Sequence, residues 1–259
     1  MAHDPADVSG GAAWDRAALR DPHRVPGKAE RVAAMFNAIA PTYERVNTLV
    51  SLGQDARWRR AAVAAAEVRP DDVVLDLCCG TGDMLRAFAQ AGVRPRRLIG
   101  VDFARAMLVR AGRGDWAVPV ALVQADALRL PLADQSVDVV SCAFGVRNFQ
   151  HLQAGLLEML RVLRPGGRAV ILEFATPDNP VLRWGYRLYC EVVVPRVGAL
   201  ISRDRGGAYR YLPRSILTFD TRRSMVLRLE DAGFADVTSR ALNLGGVVVY
   251  HGRRPPGDE

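Results

Sequence analysis

Lysine is almost absent from this chain. Lys28 is the only one among 35 Lys and Arg residues, so the formal charge of +7 is carried by arginine. The arginines are spread along the 259 residues rather than gathered into blocks, which argues against a nucleic-acid-binding arm. Long apolar runs are missing too: no stretch approaches the roughly 18 consecutive apolar residues that a bilayer-spanning helix needs. Positions 1–30 hold no cationic segment followed by an apolar one, so a secretory signal is not expected. That stretch is rich in Ala, Gly, Asp, Arg and Pro, lacks a sustained apolar period, and reads as a flexible extension. The four cysteines, Cys78, Cys79, Cys142 and Cys190, form no Cys-x-x-Cys pair. They read as small reduced core residues of a cytoplasmic protein, and no metal site is expected.

What is present is a composition that is 49% hydrophobic, enough for one elaborated domain with a real core. The pattern predicts strands near 72–78, 97–102, 119–124, 136–143 and 168–174, with helices near 83–91, 104–112 and 152–163 between them. Two further helices are expected near 31–40 and 54–67. Such alternation means a parallel α/β sheet covered on both faces. Leu163-Arg164-Pro165-Gly166-Gly167 reads as a helix stop and turn before the fifth strand. After a helix near 221–232, strands near 235–242 and 247–252 are joined by Asn243-Leu244-Gly245-Gly246, so the last strand should be antiparallel. Segment 178–220 breaks the alternation. It is aromatic and aliphatic with interleaved arginines and predicts a helical insertion, a lid over the sheet mouth. One domain over 31–254 with a tail at 255–259 follows.

The most informative stretch is Val74-Leu75-Asp76-Leu77-Cys78-Cys79-Gly80-Thr81-Gly82-Asp83. A strand delivers the chain into a Gly-x-Gly turn, where Gly80 and Gly82 permit a tight bend and close approach of a ligand. A second strand ends in Asp102, about 20 residues on, where a carboxylate can accept from ribose hydroxyls. The third glycine of a dinucleotide turn is replaced by Leu85. Asp83, at the helix start, would repel a pyrophosphate. With Asp76 also acidic, the turn suits a sulfonium cofactor without phosphates, S-adenosylmethionine, better than NAD. Asp126 at the third strand end could read the adenine amino group, or simply cap a helix.

Several of these segments resemble the seven-stranded, Rossmann-like class I methyltransferases dependent on S-adenosylmethionine. They are Cys79-Gly80-Thr81-Gly82-Asp83, Gly100-Val101-Asp102 with Met107-Leu108, Leu130-Pro131, Leu163 to Gly167, and Leu172-Glu173-Phe174. Others resemble the ubiquinone/menaquinone biosynthesis C-methyltransferases in particular. These are the run from Val32 to Tyr43, Asn47, Ser51-Leu52-Gly53, Trp58-Arg59, Phe144-Gly145-Val146-Arg147-Asn148, Pro195-Arg196-Val197-Gly198, Tyr209-Arg210-Tyr211-Leu212 with Ser215-Ile216, and Gly245-Gly246 before His251-Gly252. The resemblance covers 31–254. It implies methyl transfer to a ring carbon of a prenylated quinol, and cofactor contacts at Thr81, Asp102, Asp126, Ala127 and Ala143. Ala143 and Ala104 stand where the family often has Ser, and Asp220 where it often has Pro.

A quinol carbon is a modest nucleophile and its phenolate a better one, so a cation beside the ring oxygen would help. Arg147 is placed for that role at the fourth strand end, and Asn148 for holding the other oxygen. Arginine is a poor general base. Tyr43, Tyr209 and His251 are further substrate-binding candidates. A prenylated substrate implies transient contact with the inner face of the cytoplasmic membrane, through the aromatics and arginines of 178–220. A homodimer stays open. Three alternatives stand beside this reading: a methyltransferase for another small aromatic or lipid, a nucleic-acid methyltransferase, and a cofactor-binding protein without turnover. The second is disfavoured because the fourth strand ends in Ala-Phe-Gly-Val-Arg-Asn rather than an Asn/Asp-Pro-Pro-aromatic run. The pathway, menaquinone or ubiquinone, is not separated.

Overall fold

The computed structural model describes residues 14–196 and 207–257. Seven strands form one sheet: β1 (Val73–Leu77), β2 (Arg97–Asp102), β3 (Val120–Gln124), β4 (Val137–Ala143), β5 (Leu163–Phe174), β6 (Ala235–Leu242) and β7 (Val247–Arg253). Their order is β3-β2-β1-β4-β5-β7-β6. β1 to β5 run parallel, and β7 lies antiparallel between β5 and β6, as the Gly-rich hairpin predicts. The order reverses between β1 and β4, so a crevice opens beyond their carboxyl ends.

The helices, in chain order, are α1 (Lys28–Ile39), α2 (Tyr43–Val50), α3 (Asp55–Ala65), α4 (Asp83–Ala89), α5 (Arg105–Ala111), α6 (Leu152–Val162), α7 (Pro180–Leu188), α8 (Ala208–Leu217) and α9 (Arg222–Asp231). Every residue of β1 is buried, and the strand's two-residue period divides its side chains between two cores. Val73, Leu75 and Leu77 pack with Leu156 and Met159 of α6 and Met225 and Leu229 of α9. Val74 packs with Trp58 and Ala62 of α3 and Leu85 and Phe88 of α4. Burial on both faces is why β1 reads as a continuous apolar run rather than an alternating one.

The structure differs from the sequence reading at three places. β5 begins at Leu163, paired with Val137, so the Pro165-Gly166-Gly167 segment is a kink inside a longer strand rather than a turn before it. α2 was not anticipated. The third difference is at the N-terminus. Residues 1–13 lie outside the described residues, but the flexible extension expected over 1–30 does not hold from Trp14 onward. Trp14 is fully buried and stacks on Tyr211 of α8, with ring centroids 4.1 Å apart. It belongs to a third core with Met35 and Ile39 of α1 and Met107 of α5.

The insertion is helical where described. Asn179 caps α7 by accepting from the Val181 and Leu182 amides, with Pro180 at the first helical position. α7 continues into a π-helical turn, Tyr189–Val193. Gly198, Leu200, Ile201, Arg203 and Arg205 lie outside the described residues.

Candidate active site

Both strands bordering the crevice end in a left-handed residue that is not glycine: Cys78 (φ 52°) after β1 and Phe144 (φ 57°) after β4. Such conformations are held by their surroundings and collect at functional sites. Gly145 follows Phe144 because nothing larger fits, since a Cβ there would stand 2.6 Å from Cys78 Cβ and 2.7 Å from Cys142 Sγ. The two turns therefore lock against each other at the mouth of the sheet.

The glycine turn divides its labour. Gly80 (φ 55°) faces Tyr43 across ordinary contact distance and lines a cavity. Gly82 (φ 87°) does not line it. Its Cβ position is filled by Trp116, 2.9 Å away, so the absence of a side chain there serves close packing on a tryptophan. The Gly80 amide donates to Asp102 Oδ2 at 2.8 Å, and the Ala104 amide to Asp102 Oδ1 at 2.8 Å. Asp102 thus ties β1 to β2 while lining the same cavity. Burial raises its carboxyl above the ordinary range. Asp126, Ala127, Ala143 and Asn148 complete the wall. Asp126 also accepts from the Leu128 amide at 2.9 Å, but it closes a short turn and no helix follows it, so the helix-capping alternative does not hold.

Asp76 and Thr81 sit buried behind this wall rather than on it. Ser141 on neighbouring β4 donates to Asp76 Oδ1. Asp76 Oδ2 and Thr81 Oγ1 have no partner among the described residues. Burial lifts the Asp76 carboxyl to about 7. Unpaired buried acceptors and donors are costly, so these two atoms fit a polar ligand reaching past the turn. Asp83 is paired with Arg86 and with Arg59, 3.3 Å away.

A second cavity, of about 430 Å³, lies under the insertion. Tyr43, Phe36 and Phe144 line both cavities and form the partition between them. Its floor is aromatic: Phe144 and Phe174 lie 4.5 Å apart, with Trp58 edge-on to both. Tyr209 lines it. Arg147 lines it too, although only 3% exposed, with its guanidinium carbon 5.4 Å above the Phe174 ring. Arg147 and Asn148 share the 3-10 turn Val146–Asn148, which aims the arginine at the large cavity and the asparagine at the small one.

Two partners of this turn were missed in the sequence. Glu173, at the end of β5, is fully buried and accepts from Arg147 Nη1 at 2.7 Å. Burial raises the Glu173 carboxyl, and the neighbouring guanidinium opposes the shift. Arg147 is therefore not a lone cation but the cavity-facing end of an ion pair. Tyr211 donates to Asn148 Oδ1 at 2.8 Å and fixes that amide. A carboxylate at the end of the strand beside β4 was the available signal for Glu173. His251 is not brought to the site. Antiparallel β7 enters opposite Phe174 at Val247, so His251 pairs with Val170 well down the sheet and lines neither cavity.

The ubiE/COQ5 methyltransferase family model matches residues 25–254. The chain belongs to that family. A ubiquinone/menaquinone biosynthesis C-methyltransferase of Syntrophotalea carbinolica is 42% identical over 242 residues, 90% of this chain and 98% of the relative. A demethylmenaquinone methyltransferase of Clavibacter sepedonicus is 40% identical over 232 residues, 89% and 93%. Among solved structures, a putative methyltransferase in complex with the Haloferax volcanii Trm112 activator aligns with TM-score 0.63 at 20% identity, covering 85% of this chain and 97% of that one. The [4+2]-cyclase SpnF aligns equally well, with TM-score 0.63 at 16% identity over 90% and 98%. The fold is thus shared by different chemistries, and it is family membership that makes this chain a methyltransferase. Among the described residues, no helix is long and apolar enough to cross a membrane.

Proposed function

We infer that this enzyme transfers the methyl of S-adenosylmethionine to a ring carbon of a prenylated quinol in quinone biosynthesis. The observation carrying this reading is the pair of cavities meeting at Tyr43 and Phe144, one walled by Asp102 and Asp126, the other apolar with Arg147 at its edge. Asp102 would accept from ribose hydroxyls with the carboxylate capacity left by its two amide bonds, and Asp126 would face the adenine end. The unpaired atoms of Asp76 and Thr81 fit the amino-acid end of such a cofactor. Bound there, it supplies an electrophilic methyl on a positively charged sulfur.

The chain's own task is to ionise and aim the quinol. A phenol titrates near 10. The guanidinium of Arg147 faces the cavity while Glu173 lies behind it and lines neither cavity. A ring oxygen in the large cavity therefore meets the positive end of the pair, which favours the phenolate. Arg147 cannot act as the base. Tyr43, which lines both cavities, would orient the ring and exclude water, while Asn148, held by Tyr211, faces the cofactor side rather than the second quinol oxygen expected of it.

Exposed apolar side chains surround the large cavity's mouth: Leu52, Val181, Leu182 and Leu244 line it, with Trp184 beside them on α7 at 70% exposure. A prenyl chain gains about 0.8 kcal/mol for each CH₂ kept from water, so this rim suits a bilayer surface from which the substrate enters. Arg183 is spent on the carbonyls of Pro177 and Asp178, and Arg187 on Glu191. The contact we propose is therefore more apolar than electrostatic. Purified protein with the cofactor and a demethylated quinol in vesicles should add one methyl to a ring carbon, read by mass and NMR. Methylation at oxygen, or none, would overturn the reading. Trp184→Ser should weaken vesicle flotation and spare turnover on a short-tailed soluble quinol.

A further inference from the structure

The chain's one lysine is not on the surface. Lys28 opens α1 and is 1% exposed. Its ammonium donates to the carbonyl oxygens of Arg147 at 2.7 Å and Phe149 at 2.8 Å, and stands 3.4 Å from His23 Nδ1. His23 is anchored in turn, with Nε2 3.0 Å from the Ser215 carbonyl. Three donors on a compact head thus meet three acceptors, an arrangement a planar guanidinium cannot copy. No carboxylate among the described residues pairs with Lys28, so burying this charge is costly. Asp21 and Glu173 act on it only from farther off, against the like charge of Arg147, and burial brings its titration down to about 8. In a chain that uses arginine everywhere else, the position calls for what arginine cannot supply.

The two carbonyls it holds flank Asn148 and close the short turn that carries Arg147. Carbonyls at the end of such a turn have no partner within it. The turn's own bonds are few: the Asn148 amide to Gly145 O and the Phe149 amide to Val146 O. Rotation of either peptide would swing both side chains at once, away from two different cavities. We propose that Lys28 is a positioning residue for methyl transfer, clamping the peptide carbonyls of the turn so that Arg147 and Asn148 point into the substrate and cofactor cavities. The proposal rests on the roles given above to those two side chains.

Lys28→Met in the full chain should lower kcat about 10- to 100-fold, the scale of a small misplacement at a reacting centre, and, because the freed turn also carries Asn148 out of the cofactor cavity, raise the KM for the cofactor. Hydrogen exchange should quicken at the Asn148 and Phe149 amides while the strand amides stay protected. Unchanged exchange at those amides would overturn the clamp. Faster exchange with normal turnover would uphold the clamp and overturn the functional role of the turn. The wild-type protein gives an independent reading should the variant not fold. Its kcat should fall on the alkaline side as the ammonium loses its proton, although quinol ionisation alone would make the rate rise. The groups facing that ammonium are His23, Asp21, Arg147 and Glu173. The His23 imidazole is lowered by burial and already neutral there, and the Arg147 guanidinium stays charged. A kcat that climbs without a break through pH values of about 8 to 10 would also overturn the clamp.

Discussion

β5 contributes to two buried ion pairs, one at each end of the sheet. Arg168 pairs with Asp72 below β1, and Glu173 pairs with Arg147 above β4. Side chains of both pairs are at most 6% exposed, and both pairs bridge segments far apart in sequence. By burial and charge they are nearly equivalent. They differ in what lies beside them. The Arg168 pair lines neither cavity, and Asp72 is further satisfied by the Arg69 amide at 2.7 Å. The Arg147 pair leaves the guanidinium over an aromatic ring at the edge of a 430 Å³ space. A buried ion pair is thus poor evidence of function by itself. An open cavity at one end of it changes what it can do.

The comparison breaks most visibly in stability. Removing one partner strands a buried charge, so Arg168→Met and Arg147→Met should each cost about 3–5 kcal/mol in denaturant unfolding. Removing both partners should separate the pairs. Arg168→Met with Asp72→Leu should recover most of that stability and keep turnover. Arg147→Met with Glu173→Leu should recover stability but leave kcat down about 10²–10³-fold, the scale of losing one preorganised donor at a developing anion. Equal activity in the two double variants would remove Arg147 from the chemistry.

The upper end of the sheet was legible in sequence because it is punctuated. β1 and β2 are apolar runs stopped by Gly80 and Asp102, and their bounds fell within a residue or two of the observed ones. The family resemblance, read from such runs and from Phe144-Gly145-Val146-Arg147-Asn148, is borne out. What stayed hidden depends on tertiary direction. Glu173 meets Arg147 only because β4 and β5 are neighbours. His251 was expected at the site, but an antiparallel strand carries it to the other end. Trp14 is a single aromatic in a stretch without apolar period, and its burial comes from Tyr211, almost two hundred residues away. Lys28 looked like compositional residue until its acceptors were seen to be backbone carbonyls.

A smaller effect contrasts the carboxylates of β1 and β2 with Asp72 below them. Asp102 lines the small cavity and Asp72 does not. Asp102→Ala should weaken S-adenosylmethionine binding by about 1.5–3 kcal/mol, the size of a charged hydrogen bond. Isothermal calorimetry on Asp72→Ala should show nearly wild-type cofactor affinity in whatever fraction remains folded. A folded Asp102→Ala protein with undiminished affinity would remove Asp102 from the ribose site.

The smallest effect is one of pH and concerns Asp76, which lies at the upper end yet has one oxygen unpaired. Burial raises its carboxyl from the ordinary 3.8 to about 7 in the folded chain. The folded state therefore holds a proton that the unfolded state has released between those two values. The stability Asp76 contributes is fully present below the unfolded value and is lost as pH rises towards about 7. Asp76→Asn should flatten that part of the curve. The cationic cofactor works in the opposite sense, because a positive ligand nearby favours the ionised carboxylate and draws the folded pKa down. Wild-type cofactor affinity should therefore strengthen as pH rises from about 6 to 8, by up to about tenfold for each unit the carboxyl falls on binding. The same titration on Asp76→Asn should be flat. A flat wild-type curve would mean that the cofactor does not reach Asp76, and the unpaired oxygen would then be an acceptor for water behind the glycine turn.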